Sequence, residues 1–133
     1  MKKYQLHDSQ INGITISDNS IVFSFSEGFW ETDESGKEIT QKQNCKIAFN
    51  IDNKFNLRVE EFISVRISGR NNVFKPISLA RFVNLLKKTK FNVDMEYDCL
   101  FAKSKMLQLY SNSSKILVEF FIKEIERVEY FCD

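Results

Sequence analysis

The stretch ITISDNSIVFSF, Ile14 to Phe25, sets the fold class. Ile14 and Ile16 alternate with Thr15 and Ser17, and beyond Asp18-Asn19 the residues Ile21, Phe23 and Phe25 alternate with Val22, Ser24 and Ser26. A period of two on both sides of a two-residue turn predicts a β-hairpin with one apolar face. Asp and Asn suit that turn because their short polar side chains tolerate left-handed backbone angles. With only four Gly and one Pro, the chain must build most turns this way.

The alternation continues along the chain. After a turn at Ser35-Gly36, residues 37–51 predict a returning strand phased on Cys45, Ile47, Phe49 and Ile51. Residues 55–67 keep one parity throughout, but Glu61 stands where a hydrophobe belongs, so a bulge near Glu60-Glu61 is expected. In residues 91–101, Phe91, Val93, Met95, Tyr97, Cys99 and Phe101 point one way, and Asn92, Asp94, Glu96 and Asp98 the other. Strands at 105–111 and 115–123 follow, and the spacing of Val128, Tyr130 and Cys132 predicts a last strand continued after a bulge. One helix is expected over about 78–90, with Ser78 as N-cap and Leu79, Phe82, Val83 and Leu86 on one face. Lys87, Lys88 and Lys90 would suit its negative end. These elements predict an α+β single domain spanning 1–133. It is a twisted antiparallel β-meander, or partly closed barrel, of about eight strands with one helix.

Composition narrows the function classes. The chain has 133 residues, 43% of them hydrophobic, enough to bury a core. Nineteen basic against 18 acidic residues give a net charge of +1, which argues against general nucleic-acid binding. Arg81, Lys87, Lys88 and Lys90 form only a modest basic patch, with no recognition motif around it. No apolar run approaches the roughly 18 residues of a membrane span. Cys45, Cys99 and Cys132 are odd in number and widely spaced, so they read as reduced core thiols of a cytoplasmic protein. No phosphate-binding glycine motif and no metal-ligand spacing is present, so no cofactor and no metal are expected.

Three clusters remain as candidate sites. His7-Asp8-Ser9 holds the residue types of a hydrolytic triad and the only histidine. On an extended chain Asp8 points away from His7 and Ser9, which opposes a relay and favours a polar strand entry that anchors the N-terminus. Asp94, Glu96 and Asp98 line one strand face and read as a solvated face or as partners for basic residues. Glu27, Glu31, Asp33 and Glu34 surround Phe29 and Trp30. An acidic loop with aromatic rings reads either as a protein-contact surface, because rings supply contact area and charge steers a basic partner, or as a long solvated hairpin whose rings fold back on the core.

The opening LHDSQINGITISDNSIVFSF, Leu6 to Phe25, resembles the start of small bacterial β-rich proteins of unknown function, in which an L-H-D-S segment leads into a hairpin. Some of these look like immunity proteins, encoded beside toxins they neutralise. The resemblance covers this opening segment only and implies no catalytic residue. The expectation is therefore a non-enzymatic protein-binding module, of immunity-inhibitor type, with a protein partner such as a toxin. Two alternatives stand behind it: a small-molecule binder enclosing a cavity with its Phe-rich sheet face, and, ranked last, an enzyme using His7.

Overall fold

The computed structural model describes residues 3–69, 71, 73–99 and 103–132. Phe101, the expected end of the long alternating run, lies outside them. Thirteen strands occur among the described residues: β1 Lys3–Gln5, β2 Gln10–Ile11, β3 Gly13–Ile16, β4 Ser20–Phe25, β5 Phe29–Thr32, β6 Glu38–Lys42, β7 Cys45–Ile51, β8 Ile63–Ser68, β9 Phe74–Ile77, β10 Phe91–Cys99, β11 Ser104–Ser111, β12 Ile116–Ile122 and β13 Ile125–Phe131. The helix α1, Leu79–Leu86, lies between β9 and β10.

The β-rich α+β class holds, but the meander and the barrel do not. The strands form a six-stranded sheet ordered β2-β10-β11-β12-β8-β9, a four-stranded sheet β13-β7-β4-β3 and a three-stranded sheet β1-β5-β6. All pairings are antiparallel. The number of strands rises above eight because several apolar runs are broken by single residues. Asn44, at φ 50°, ends β6, so that β6 pairs with β5 while β7 joins β4 in a different sheet.

The inner faces of the two larger sheets meet through aromatic rings. Phe23 of β4 packs edge-on against Phe120 of β12 at 5.1 Å, and Phe82 of α1 lies 5.7 Å from Phe120 and 5.6 Å from Phe91. All four rings are fully buried. The predicted hairpin is β3–β4, with Ile14 opposite Phe23 and Ser17 N–H bonded to Ser20 O around Asp18-Asn19. Ser78 caps the helix by accepting from the Arg81 N–H at 3.2 Å. The helix is shorter than expected. After Leu86 the Lys87 N–H bonds to Asn84 O, a tighter turn, so that Lys87 caps the helix while Lys88 and Lys90 follow it.

Two further expectations are corrected. Residues 55–67 are not one strand: a loop and a short 3-10 turn, Val59–Phe62, precede β8, and the turn exposes Glu61 while burying Val59 and Phe62. Strand β9 was hidden by Pro76, a residue that cannot donate to a ladder but is tolerated at a sheet edge, where β9 lies.

The cysteine reading is also corrected. Cys45 and Cys132, neighbours across β7 and β13 with Cα atoms 4.2 Å apart, are disulfide-bonded, and Cys99 is exposed rather than in the core. Sequence spacing could not show this, because the two cysteines are 87 residues apart and only strand pairing brings them together. The compositional ground for a cytoplasmic location goes with it. Among the described residues no helix is long and apolar enough to cross a membrane.

Two measurements test this architecture. Unfolded without reductant, each chain should present one reactive thiol, rising to three after reduction, and reduction should lower stability by about 3 kcal/mol. Three thiols without reductant would contradict the disulfide. At Gly28 (φ +77°) an added Cβ would sit 1.5 Å from the Lys42 carbonyl oxygen, whereas at Gly36 (φ +87°) nothing lies within 4 Å. Gly28→Ala should therefore cost upwards of about 2 kcal/mol in denaturant unfolding, and Gly36→Ala only about 1 kcal/mol.

Candidate functional site

The N-terminal polar cluster forms around an irregularity in β10. Val93 pairs with Leu109 and Met95 with Gln108, which leaves Asp94 as an extra residue without a partner in β11. A turn at Leu6–Ser9 closes on this bulge. Ser9 N–H bonds to Leu6 O, Asp8 N–H to Val93 O, and Val93 N–H to Ser9 O. His7 Nδ1–H donates to the Asp94 carbonyl at 2.8 Å, while its Nε2 lies 3.2 Å from Asp8 Oδ2.

The extended geometry expected for His7-Asp8-Ser9 is thus replaced by a turn, with Asp8 at φ 62°, and Asp8 meets His7 rather than pointing away. The turn still makes no hydrolytic relay. Both ring nitrogens of His7 are engaged by Asp94 and Asp8, Ser9 is buried, and Asp8 accepts a hydrogen bond from the Tyr110 hydroxyl at 3.0 Å. That hydrogen bond raises the Tyr110 phenol above its ordinary 10.0.

The bulge also turns the acidic run inside out. Beyond Asp94 the faces exchange: Met95, Tyr97 and Cys99 are exposed, and Glu96 faces inward to Lys105 of β11. The Lys105 ammonium lies 2.8 Å from Glu96 and 3.4 Å from Asp98, and Glu96 also accepts the Leu6 N–H. Burial alone would push Lys105 down. The charge and hydrogen bond of Glu96, aided by Tyr130 and Asp98, outweigh it and hold the ammonium above its ordinary 10.5. Burial likewise raises the Tyr130 phenol. The ammonium so held anchors the two carboxylates. Sequence reading missed Lys105 because it opens a strand where a polar residue looks solvated.

The acidic segment is the β5–β6 hairpin with its flanking turns. Phe29 is fully buried and cannot supply contact area. It packs with Tyr4 at 5.3 Å, Phe25 at 5.6 Å and Tyr130 at 6.0 Å, tying the three-stranded sheet to the core. Trp30 is half-buried in the middle strand, opposite Gln5 and Gln41. Glu31 pairs with Lys42 at 3.2 Å. Asp33 Oδ1 accepts from the Ser35 hydroxyl and from the Ser35 and Lys37 N–H groups, so it organises the turn. Those bonds, the Ser35 hydroxyl first, hold its carboxyl below the ordinary 3.8. Glu27 and Glu34 are exposed.

Among the described residues the Phe-rich inner faces pack ring against ring. The sizeable hollows are open grooves. One, of about 650 Å³, runs between α1 and β8–β9 and is lined by Ile16, Ile63, Pro76, Ile77 and Val83. No group of three or more potential metal ligands gathers among the described residues. No family model matches the chain, and neither a curated protein nor a solved structure matches it.

The buried cluster gives a pH-dependent expectation. Lys105→Met should destabilise the fold by about 3 kcal/mol, since it leaves the largely buried Glu96 without its cation while Asp98 is exposed to water. A Lys with a raised folded value contributes stability fully below its unfolded value and loses it as pH rises through the folded one. The stability gap between wild type and K105M in thermal unfolding should therefore shrink above pH 10.5. A gap that stays constant into strong alkali would exclude this role.

Proposed function

We propose that the chain is a non-enzymatic protein-binding module that docks a basic partner on the β5–β6 hairpin, occluding that partner in the manner of an immunity-type inhibitor. The observation that carries this reading is Trp30. The chain's single Trp stands half-exposed in the central strand of a small sheet whose neighbouring ring, Phe29, is locked into the core. Trp is among the residue types enriched at energetic centres of interfaces.

Charge adds selectivity. Residues 27–42 hold five carboxylates and two lysines, a local charge of −3 in a chain of net +1. Such a surface speeds encounter with a basic partner and weakens with salt. The hairpin is braced from both sides, by the Asp33 turn at its tip and by Gly28 against Lys42 at its base, so little ordering is required on binding.

The useful variants are Glu27→Lys and Glu34→Lys, because Glu31 and Asp33 hold the hairpin itself. Tagged full-length chain, incubated at low salt with a lysate of its source cells, should capture a basic protein that the E27K/E34K double variant does not. Binding should also shift the Trp30 fluorescence. Equal capture by the double variant, with the Trp30 emission unmoved, would show that this surface is not the contact.

A further inference from the structure

Among the described residues no element packs on the outer face of the six-stranded sheet, and its composition is unusual for a surface. Two adjacent cross-strand rows occupy its centre: Tyr97–Met106–Phe121–Ser64 and Met95–Gln108–Glu119–Arg66. Directly opposed residues on neighbouring strands touch, so these rows form one continuous patch. Met95, Tyr97 and Phe121 are 46%, 44% and 40% exposed. Of the eight positions only Arg66 and Glu119 are charged, and they lie 3.8 Å apart. Four of the eight positions are large apolar or aromatic side chains, and a contiguous exposed cluster of that kind is a mark of contact surfaces. Met and aromatic residues are also the types enriched at interface centres.

We infer that this face pairs with the same face of a second copy of the chain, about a two-fold axis. Charge selects that occupant. The patch carries one cation and one anion, so it offers nothing to a strongly charged partner, yet it complements itself when a two-fold sets Arg66 of each copy toward Glu119 of the other. The open hollow of about 750 Å³ beside Tyr110 and Leu117 repeats the balance, with Asp94 and Lys115 among its lining residues. The pairing is a sheet-on-sheet contact like the one already inside each copy. It lies on a different sheet from the Trp30 hairpin and stands independently of that reading.

The test is the solution mass of the full chain across the micromolar range, by light scattering and sedimentation. Wild type should weigh twice 15.7 kDa. Phe121→Glu should be monomeric with an unchanged circular dichroism spectrum, since the ring points away from the core. Arg66→Glu and Glu119→Arg, each alone, place two like charges on the face and should also be monomeric, and mixing the two variants should restore a dimer. A wild type that is monomeric throughout overturns the proposal. So does a dimer indifferent to all three substitutions. A wild-type monomer that retains a different protein in an F121E-sensitive way would assign the face to that protein instead.

Discussion

One extra residue in β10 governs much of this molecule. Asp94 has no partner in β11, and its insertion exchanges the two faces of the strand. Before it, Phe91 and Val93 fill the core; after it, Glu96 turns inward and Met95 and Tyr97 turn out. The buried Lys105 cluster and the apolar outer face are two consequences of the same irregularity. A bulge frees backbone groups that need partners, and here His7 supplies one through its bond to the Asp94 carbonyl. The only imidazole in the chain is thereby a fastener.

The N-terminal turn, the bulge and the last strand are mechanically linked. Leu6 donates to Glu96, Glu96 holds Lys105, and Lys105 lies 6.0 Å from the Phe49 ring in the facing sheet. Tyr4 stacks on Tyr130 of β13 at 5.0 Å, and β13 is tied to β7 by Cys45–Cys132. Strands β1 and β13 are thus secured beside each other, on the side where the small sheet departs. That sheet is anchored by Phe29 and leaves Trp30 on offer, a division of labour between adjacent residues that strand alternation imposes.

The polar groups that looked most like chemistry serve the backbone instead. His7 and Asp8 close a turn, Asp33 organises another, and Glu61 is placed outside by a 3-10 turn. Each is a short-range solution to a chain poor in Gly and Pro. Asp8, Asn44 and Asn56 take left-handed angles that glycine would otherwise fill. The sequence places a turn beside Asp33, at Ser35-Gly36, but reads His7-Asp8 and Glu61 on strands, because nothing local marks the turns those residues make.

What the sequence determined by itself was local. The Ile14–Phe25 hairpin, the Ser78 cap, the inward phase of Cys45, Ile47, Phe49 and Ile51, and the existence of a last strand follow from periodicities and caps that depend on near neighbours, although that strand leaves the sheet of β12 instead of continuing it. The tertiary structure alone decided which sheet each strand joins, that Cys45 meets Cys132 across 87 residues, and which side of β10 carries the acids. The physical reason is the period of two. A single inserted residue inverts every later side chain in a strand, and only the facing strand reveals that the insertion is there.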